Sequence, residues 1–592
     1  MTKRRRLFDD PLDCEETSGE SVHRLPKRRF FGKSPLLDLP QELILRVLHF
    51  LPVQTLLTVS RTSRKLHSLA SDPQLWKSKF WAKFIHPRLQ RRQRLCLPDA
   101  FDHRSEEESP FASDWKKWLE DHVLIQEERD LAIATKILPE PKLSPSKLTK
   151  PPINPPALDW KAKFRLRSNW QRGTARSNQL HLLDSSPKID LDKSNGEKCS
   201  KGPPIIGSFF EGYFFAIDPT HGVRVYSCRN LKTTREPLAQ RPNLLGEPTC
   251  LRIEESLLND ASHKRHKMRG IDFVVGYSDG SFSIFHFDPI SNQLSDKFSK
   301  RCFGGMHRTE LVAFYFPYLV IITRLNELSI LSFHSSMIKP LPNSLNPKLG
   351  LPPPDRPYFK PELVSTLMVD IAWYPACLSF RKDPGSGVIV ASIVFSVRNM
   401  LIGSSITIQE FRLSPDTPEL LESHVSSPPL FEALSQAFFG RTAHMAFTTP
   451  TCVSYRYPFI LTSHADNTIV LYHLYTHEDG KLGIQAGHQL WGHNTSVMAV
   501  EVGLRKAVSV DRRGEVRVWD LQGRYEKTYG RDRSVRVGGS GDPLFLNLDG
   551  KKGVQTERCL IGFDEEDIVV MGKVKDLDQS RTDFRLTIYN FT

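Results

Sequence analysis

The chain has 592 residues, 81 Lys and Arg against 67 Asp and Glu, and a formal charge of +14. At ~150 residues per domain the length suggests about four domains, fewer if part of the chain forms one large all-β unit. Its 42 prolines and 39% hydrophobic content point to linker segments between packed regions. The longest apolar runs, around 311–322 and 388–395, fall short of the ~20 residues that span a bilayer, so no membrane is expected. Nine singly spaced cysteines with no CxxC pair argue against a zinc ribbon or a disulfide scaffold and suit a reducing intracellular compartment; no metal and no cofactor are expected.

Residues 1–33 are polar, with basic clusters at Lys3, Arg4, Arg5, Arg6 and at Lys27, Arg28, Arg29 around an acidic stretch. No apolar leader core occurs, and such a segment cannot bury enough surface to offset its ordering entropy, so it reads as a disordered tail. The clusters suit a nuclear import signal, with nucleus or cytoplasm as the expected location. From residue 34 to 81 apolar residues recur at helical spacing: Leu39, Leu43, Ile44, Val47, Leu48, Leu51, Leu56, Val59, Leu66 and Leu69. Pro40 and Pro52 punctuate the pattern where helices can start afresh. Three or four short helices of this size have more leucine than they can bury on themselves, which predicts a partner surface.

Helical pattern continues through a linker over 82–138. Seven prolines over 139–157 then make a stiff connector. A basic helical segment at 158–180 follows, bearing Trp160, Phe164 and Trp170. From residue 200 to the end the texture is β, with a Pro-rich insertion at 340–361. Seven short runs share a turn followed by a strand ending on an aromatic or Leu; they end near Tyr226, Phe285, Leu331, Phe411, Tyr472, Trp519 and Tyr589. Repetition of this kind means an array of similar sheets, and a ring protects their edges.

The sixth unit opens on Gly492-His493, carries Ser509, and ends on Trp519-Asp520, with 26 residues from His493 to Trp519. It resembles a WD repeat, one blade of a β-propeller, in which His, Ser or Thr, a turn Asp and Trp lock the blade. By that resemblance His493, Ser509 and Trp519 are blade-lock residues; Arg513 stands at the usual turn-Asp position, which Asp466 fills in the fifth unit and Asp279 in the second. The helical region is similar to the F-box: Leu39-Pro40-x-Glu42-Leu43-Ile44, Leu48-x-x-Leu51-Pro52, Leu56-Leu57, and then Asp72-Pro73-x-Leu75-Trp76. The basic segment resembles the Trp-rich stretch that joins F-box to propeller in F-box/WD-repeat proteins.

These resemblances imply a multidomain chain: a small all-α F-box and helical linker, then an all-β propeller of seven WD-like blades. They imply a non-catalytic substrate-recognition subunit of an SCF (Skp–cullin–F-box) ubiquitin ligase. Leu39, Pro40, Leu43, Ile44, Leu51, Pro52 and Leu56 would contact a Skp-type adaptor, and through it a cullin. The propeller would hold a client protein; arginines hold phosphorylated clients in several family members, which makes Arg441, Arg456, Arg512 and Arg513 candidates here. Two alternatives are a non-degradative scaffold and a nucleic-acid-binding propeller. The chain has no aromatic-interleaved basic run, which argues against nucleic acid. It also has no GxxxxGK[ST], HExxH or GxSxG motif.

Overall fold

The computed structural model describes residues 38–87, 159–182, 205–229, 236–242, 244–256, 270–301, 307–334, 360–369, 373–383, 386–399, 403–429, 449–476, 482–521, 534–538, 556–575 and 582–592. The tail, most of the linker, the Pro-rich connector, all but the end of the insertion, and Arg441 lie outside them. The chain divides into two units, Met1–Pro98 and Asp99–Thr592.

In the first unit, helices α1 (Gln41–Phe50), α2 (Val53–Val59), α3 (Arg64–Leu69) and α4 (Pro73–Phe80) follow one another, and a π-helical turn, Trp81–Ile85, extends the last. Each start has a local cause. Pro40 and Pro52 precede α1 and α2 in extended conformation, the geometry that a proline ring favours before a helix. Ser63 accepts the Leu66 N–H, and the Asp72 carboxylate accepts those of Gln74 and Leu75 at 2.8 and 3.1 Å, with Pro73 in the first position. Ile44, Leu48, Leu56, Leu66, Leu69, Leu75, Trp76, Phe80 and Phe84 form the core. The Lys79 ammonium donates to the carbonyls of His49 and Leu51, closing the C-terminal end of α1 where a cation is favoured.

Among the described residues, the second unit begins with α5 (Trp160–Arg172) and continues as strands. Among the described residues these make seven four-stranded antiparallel sheets, and the first strands of successive sheets touch in order until the seventh meets the first. This is a seven-bladed propeller around a central channel. Seven apolar clusters hold it, one between each pair of neighbouring blades. The seven runs legible in the sequence are the third strands of the seven blades, from Gly222–Ser227 in blade 1 to Thr582–Asn590 in blade 7.

The ring starts earlier than residue 200. Strand Arg176–His181 pairs with Thr582–Asn590 as the outer strand of blade 7, so one sheet combines both ends of the unit and no radial seam stays open. Its sequence, RSNQLH, has no apolar alternation because an outer strand lies at the solvated rim.

Candidate functional site

In the first unit, Leu39, Leu43, Val47, Phe50 and Leu57 are exposed, Phe50 to 76%. Leu43, Val47 and Phe50 follow at four- and three-residue spacing and form one stripe on α1, beside the stripe that buries Ile44 and Leu48. Of the seven residues named from the resemblance, Leu39, Pro40, Leu43 and Pro52 lie on the surface and Leu51 is half-buried. Ile44 and Leu56 are interior, at 1% and 0% exposure: their side chains hold the helices together and cannot touch a partner without unfolding them. Val47, Phe50 and Leu57 are also exposed and were not among the seven. The repeat at four and three residues was the signal for the first two, since a helix buried on one stripe and apolar on the next has two faces to cover.

Blade 6 carries the lock. Trp519 Nε1–H donates to Ser509 Oγ at 2.8 Å, and Ser509 Oγ lies 2.6 Å from His493 Nε2. With the serine accepting from Trp519, its own proton serves His493, which places the imidazole proton on Nδ1. Facing Nδ1 at 3.7 Å is the carboxylate of Asp511, which also accepts from Thr495 Oγ1 at 2.6 Å. Burial opposes ionisation of Asp511, yet these bonds hold its carboxyl below the usual range. The acid of this blade therefore stands two residues before Arg513. Asp466 takes no part here; it accepts from the backbone and hydroxyl of Thr468 in the corresponding turn of blade 5.

The candidate arginines do not form one site. Arg512 and Arg513 are exposed in the turn between the second and third strands of blade 6, where Asp511 accepts the Arg513 N–H. Arg456 ends the inner strand Pro450–Arg456 of blade 5, so the meander places it at the opposite end of the ring. It belongs to a charged cluster in the channel. Arg252 from blade 2 and Arg456 are each attracted by Glu255 and by Glu501 from blade 6. Glu255 accepts from Ser379 Oγ and from the Phe380 N–H, both at 2.6 Å, and Ser454 Oγ donates to Glu501 at 3.3 Å. Burial pushes Glu255 up to about 7 against the pull of these partners, and raises Glu501 as well. Cys250 and Cys377 are raised to about 11 by burial, which keeps them as inert thiols. Among the described residues no group of three or more His, Cys, Asp or Glu is placed to hold a metal ion.

Helix α5 is seated on the ring. Trp170 stacks on Phe591 with centroids 3.9 Å apart, and the Lys506 ammonium sits 3.2 Å from the centre of the same indole. Trp170 Nε1–H donates to the Glu565 carbonyl and Asn169 Nδ2–H to that of Phe591, each at 2.8 Å. Burial lowers Lys506 to about 8 despite the attraction of Glu565 and Asp564. Gly173 ends the helix at φ 68°, where an added Cβ would lie 2.0 Å from the Arg536 carbonyl oxygen.

The described residues thus comprise short helices with an outward apolar face and a closed seven-bladed ring. Comparison with known families agrees. Residues 36–81 match the F-box-like family, and residues 196–592 match the family described as F-box protein pof12 beta-propeller. The chain belongs to that family of F-box proteins with a β-propeller. No curated protein matches it. Among solved structures it is similar to the computationally designed Ika8 protein at 12% identity and a TM-score of 0.30, over 65% of this chain and 87% of that one, a likeness too slight to bear on the fold.

Proposed function

We propose that the chain is the substrate-recognition subunit of an SCF-type ubiquitin-protein ligase. It binds a Skp-type adaptor through the F-box and, through that adaptor, a cullin; it holds a client protein on the propeller. The observation that carries this reading is the exposed row Leu39, Leu43, Val47, Phe50 and Leu57 in an F-box-like domain. Each such side chain is worth up to ~1.5–3 kcal/mol when fully covered, so the row together supplies a gain of the same order as the cost of association. The chain needs no reacting group of its own. Catalysis comes from holding client lysines near a ubiquitin-charged enzyme, which raises their effective concentration.

Capture of a purified Skp-type adaptor by the full chain tests the reading. Leu43→Glu with Phe50→Glu should abolish capture while leaving the melting temperature unchanged, because both side chains point to solvent. Undiminished capture would sink the adaptor assignment. Intact capture with no ubiquitin transferred to any bound protein would favour a scaffold instead.

A further inference from the structure

We propose that the arginines gathered where α5 meets the rim of blades 6 and 7 dock an acidic polypeptide segment. Helix α5, WKAKFRLRSNWQR, has five basic residues and no acidic one among its 13 positions. Its aromatics Trp160, Phe164 and Trp170 are all buried, Trp170 against the ring. Arg165 and Arg172 are exposed, and seven-residue spacing puts them on one stripe of the helix.

The backbone then brings further arginines to the end of that stripe. Gly173 lies against the Arg536 carbonyl, and the Gly538 N–H donates to the Gly173 carbonyl at 3.0 Å. Arg172 and Arg176 flank this contact on one chain segment and Arg536 sits on the other; Arg176 and Arg536 are exposed too. Among the described residues, none of Arg165, Arg172, Arg176 and Arg536 forms an ion pair. The acids of this region have other partners: Asp564 and Glu565 attract Lys506 at the seat. Glu515 holds Arg517 at 2.7 Å, and Glu566 faces Arg229 at 3.8 Å.

Pinning of α5 by Trp170 and Asn169 fixes two of the four arginines before any partner arrives, which lowers the ordering cost of binding. Arginine in a fixed array suits carboxylates, which it grips with two parallel N–H donors. Burial of its three aromatics leaves the helix itself no platform for stacking bases, which disfavours single-stranded nucleic acid along it. Among the described residues no exposed apolar row lies on the helix beside the arginines, which disfavours a membrane surface. The surface is independent of the adaptor-binding reading, since it lies wholly in the second unit.

The test is fluorescence anisotropy of the full chain with labelled polyglutamate peptide and, separately, duplex DNA, at near-physiological salt. Arg165→Glu/Arg172→Glu/Arg176→Glu should weaken polyglutamate binding by about tenfold or more, whereas Lys3→Glu/Arg4→Glu/Arg5→Glu, with the same change in net charge, should alter it by less than about twofold. Arg536→Glu alone, an exposed position on a strand rather than on the helix, should weaken it by a few-fold, and serves if the triple variant loses its fold. Equal losses in both triple variants would show a net-charge effect and overturn the proposal. So would absence of polyglutamate binding by the unaltered chain, or tighter binding of the duplex with the same variant sensitivity.

Discussion

Replacing Trp170 by Ala removes a buried indole, its stack on Phe591, its hydrogen bond to the Glu565 carbonyl and the ring beneath the Lys506 ammonium. Truncating a buried Trp costs ~3–5 kcal/mol, a figure that already overlaps with ~1 kcal/mol for the hydrogen bond and ~1–2 for the cation–π contact. The loss falls on one end of α5, which joins the ring through few other groups, so it should appear as local opening. At ~1.4 kcal/mol per decade, about 4 kcal/mol raises the opening constant of α5 by roughly 10³. Hydrogen exchange of the full chain read by mass spectrometry measures this directly. Amides of Trp160–Arg172 should lose protection by two to three decades (roughly, by the same conversion), while the inner strand Val497–Val502 keeps its own. Trp170→Phe keeps an aromatic between Phe591 and Lys506 but loses the N–H donor, and should show about a tenfold effect. Unchanged exchange in α5 would refute the seat as its anchor. Equal loss in α5 and the inner strands would refute its independence as an opening unit.

Two further outcomes follow from buried charges. The carboxyl of Glu255 stands at about 7, above its usual 4.5, so its folded state disfavours the charged form. Its contribution to stability is full below pH 4.5 and is lost as pH rises through 7, by about 3 kcal/mol at most. Glu255→Gln should therefore flatten the fall in melting temperature between about pH 5 and pH 8, and identical slopes in the two proteins would refute the assignment. His473, lowered to about 3 by burial, works the other way and loses stability as pH falls below its usual 6.5, so the comparison with the Gln variant isolates the channel carboxylate. In blade 6, Asp511→Ala should cost ~1–3 kcal/mol in urea unfolding because it strips partners from Thr495, His493 and two backbone N–H groups, whereas Arg513→Ala should stay within ~0.5 kcal/mol. The reverse order would restore position 513 to the lock.

Much of the fold was readable because each signal is local. Pro40, Pro52, Ser63 and Asp72 mark helix starts through backbone geometry and hydrogen bonds within three residues. The third strands of all seven blades announce themselves because they lie between two strands of their own sheet and pack against neighbouring blades, which forces apolar and β-branched residues into short runs. Their number required a ring. The charge of +14 also divides by position, with part of it on α5.

Contacts between distant residues were decided by the tertiary structure alone. Arg176–His181 is polar, and only its pairing with the last strand makes it part of the ring. Asp511 and Arg513 are both plausible lock positions on one turn, and the turn's path chooses the acid whose carboxylate reaches His493. Ile44 and Leu43 are neighbours of equal hydrophobicity, and which of them faces inward depends on where α3 and α4 pack. Arg456 and Arg512 look alike in sequence, yet strand direction sends them to opposite ends of the ring. The sequence thus determined the elements, since short-range sterics and burial period write them locally; the assignment of side chains to core, channel or surface needed the fold, because it rests on neighbours that lie tens to hundreds of residues away.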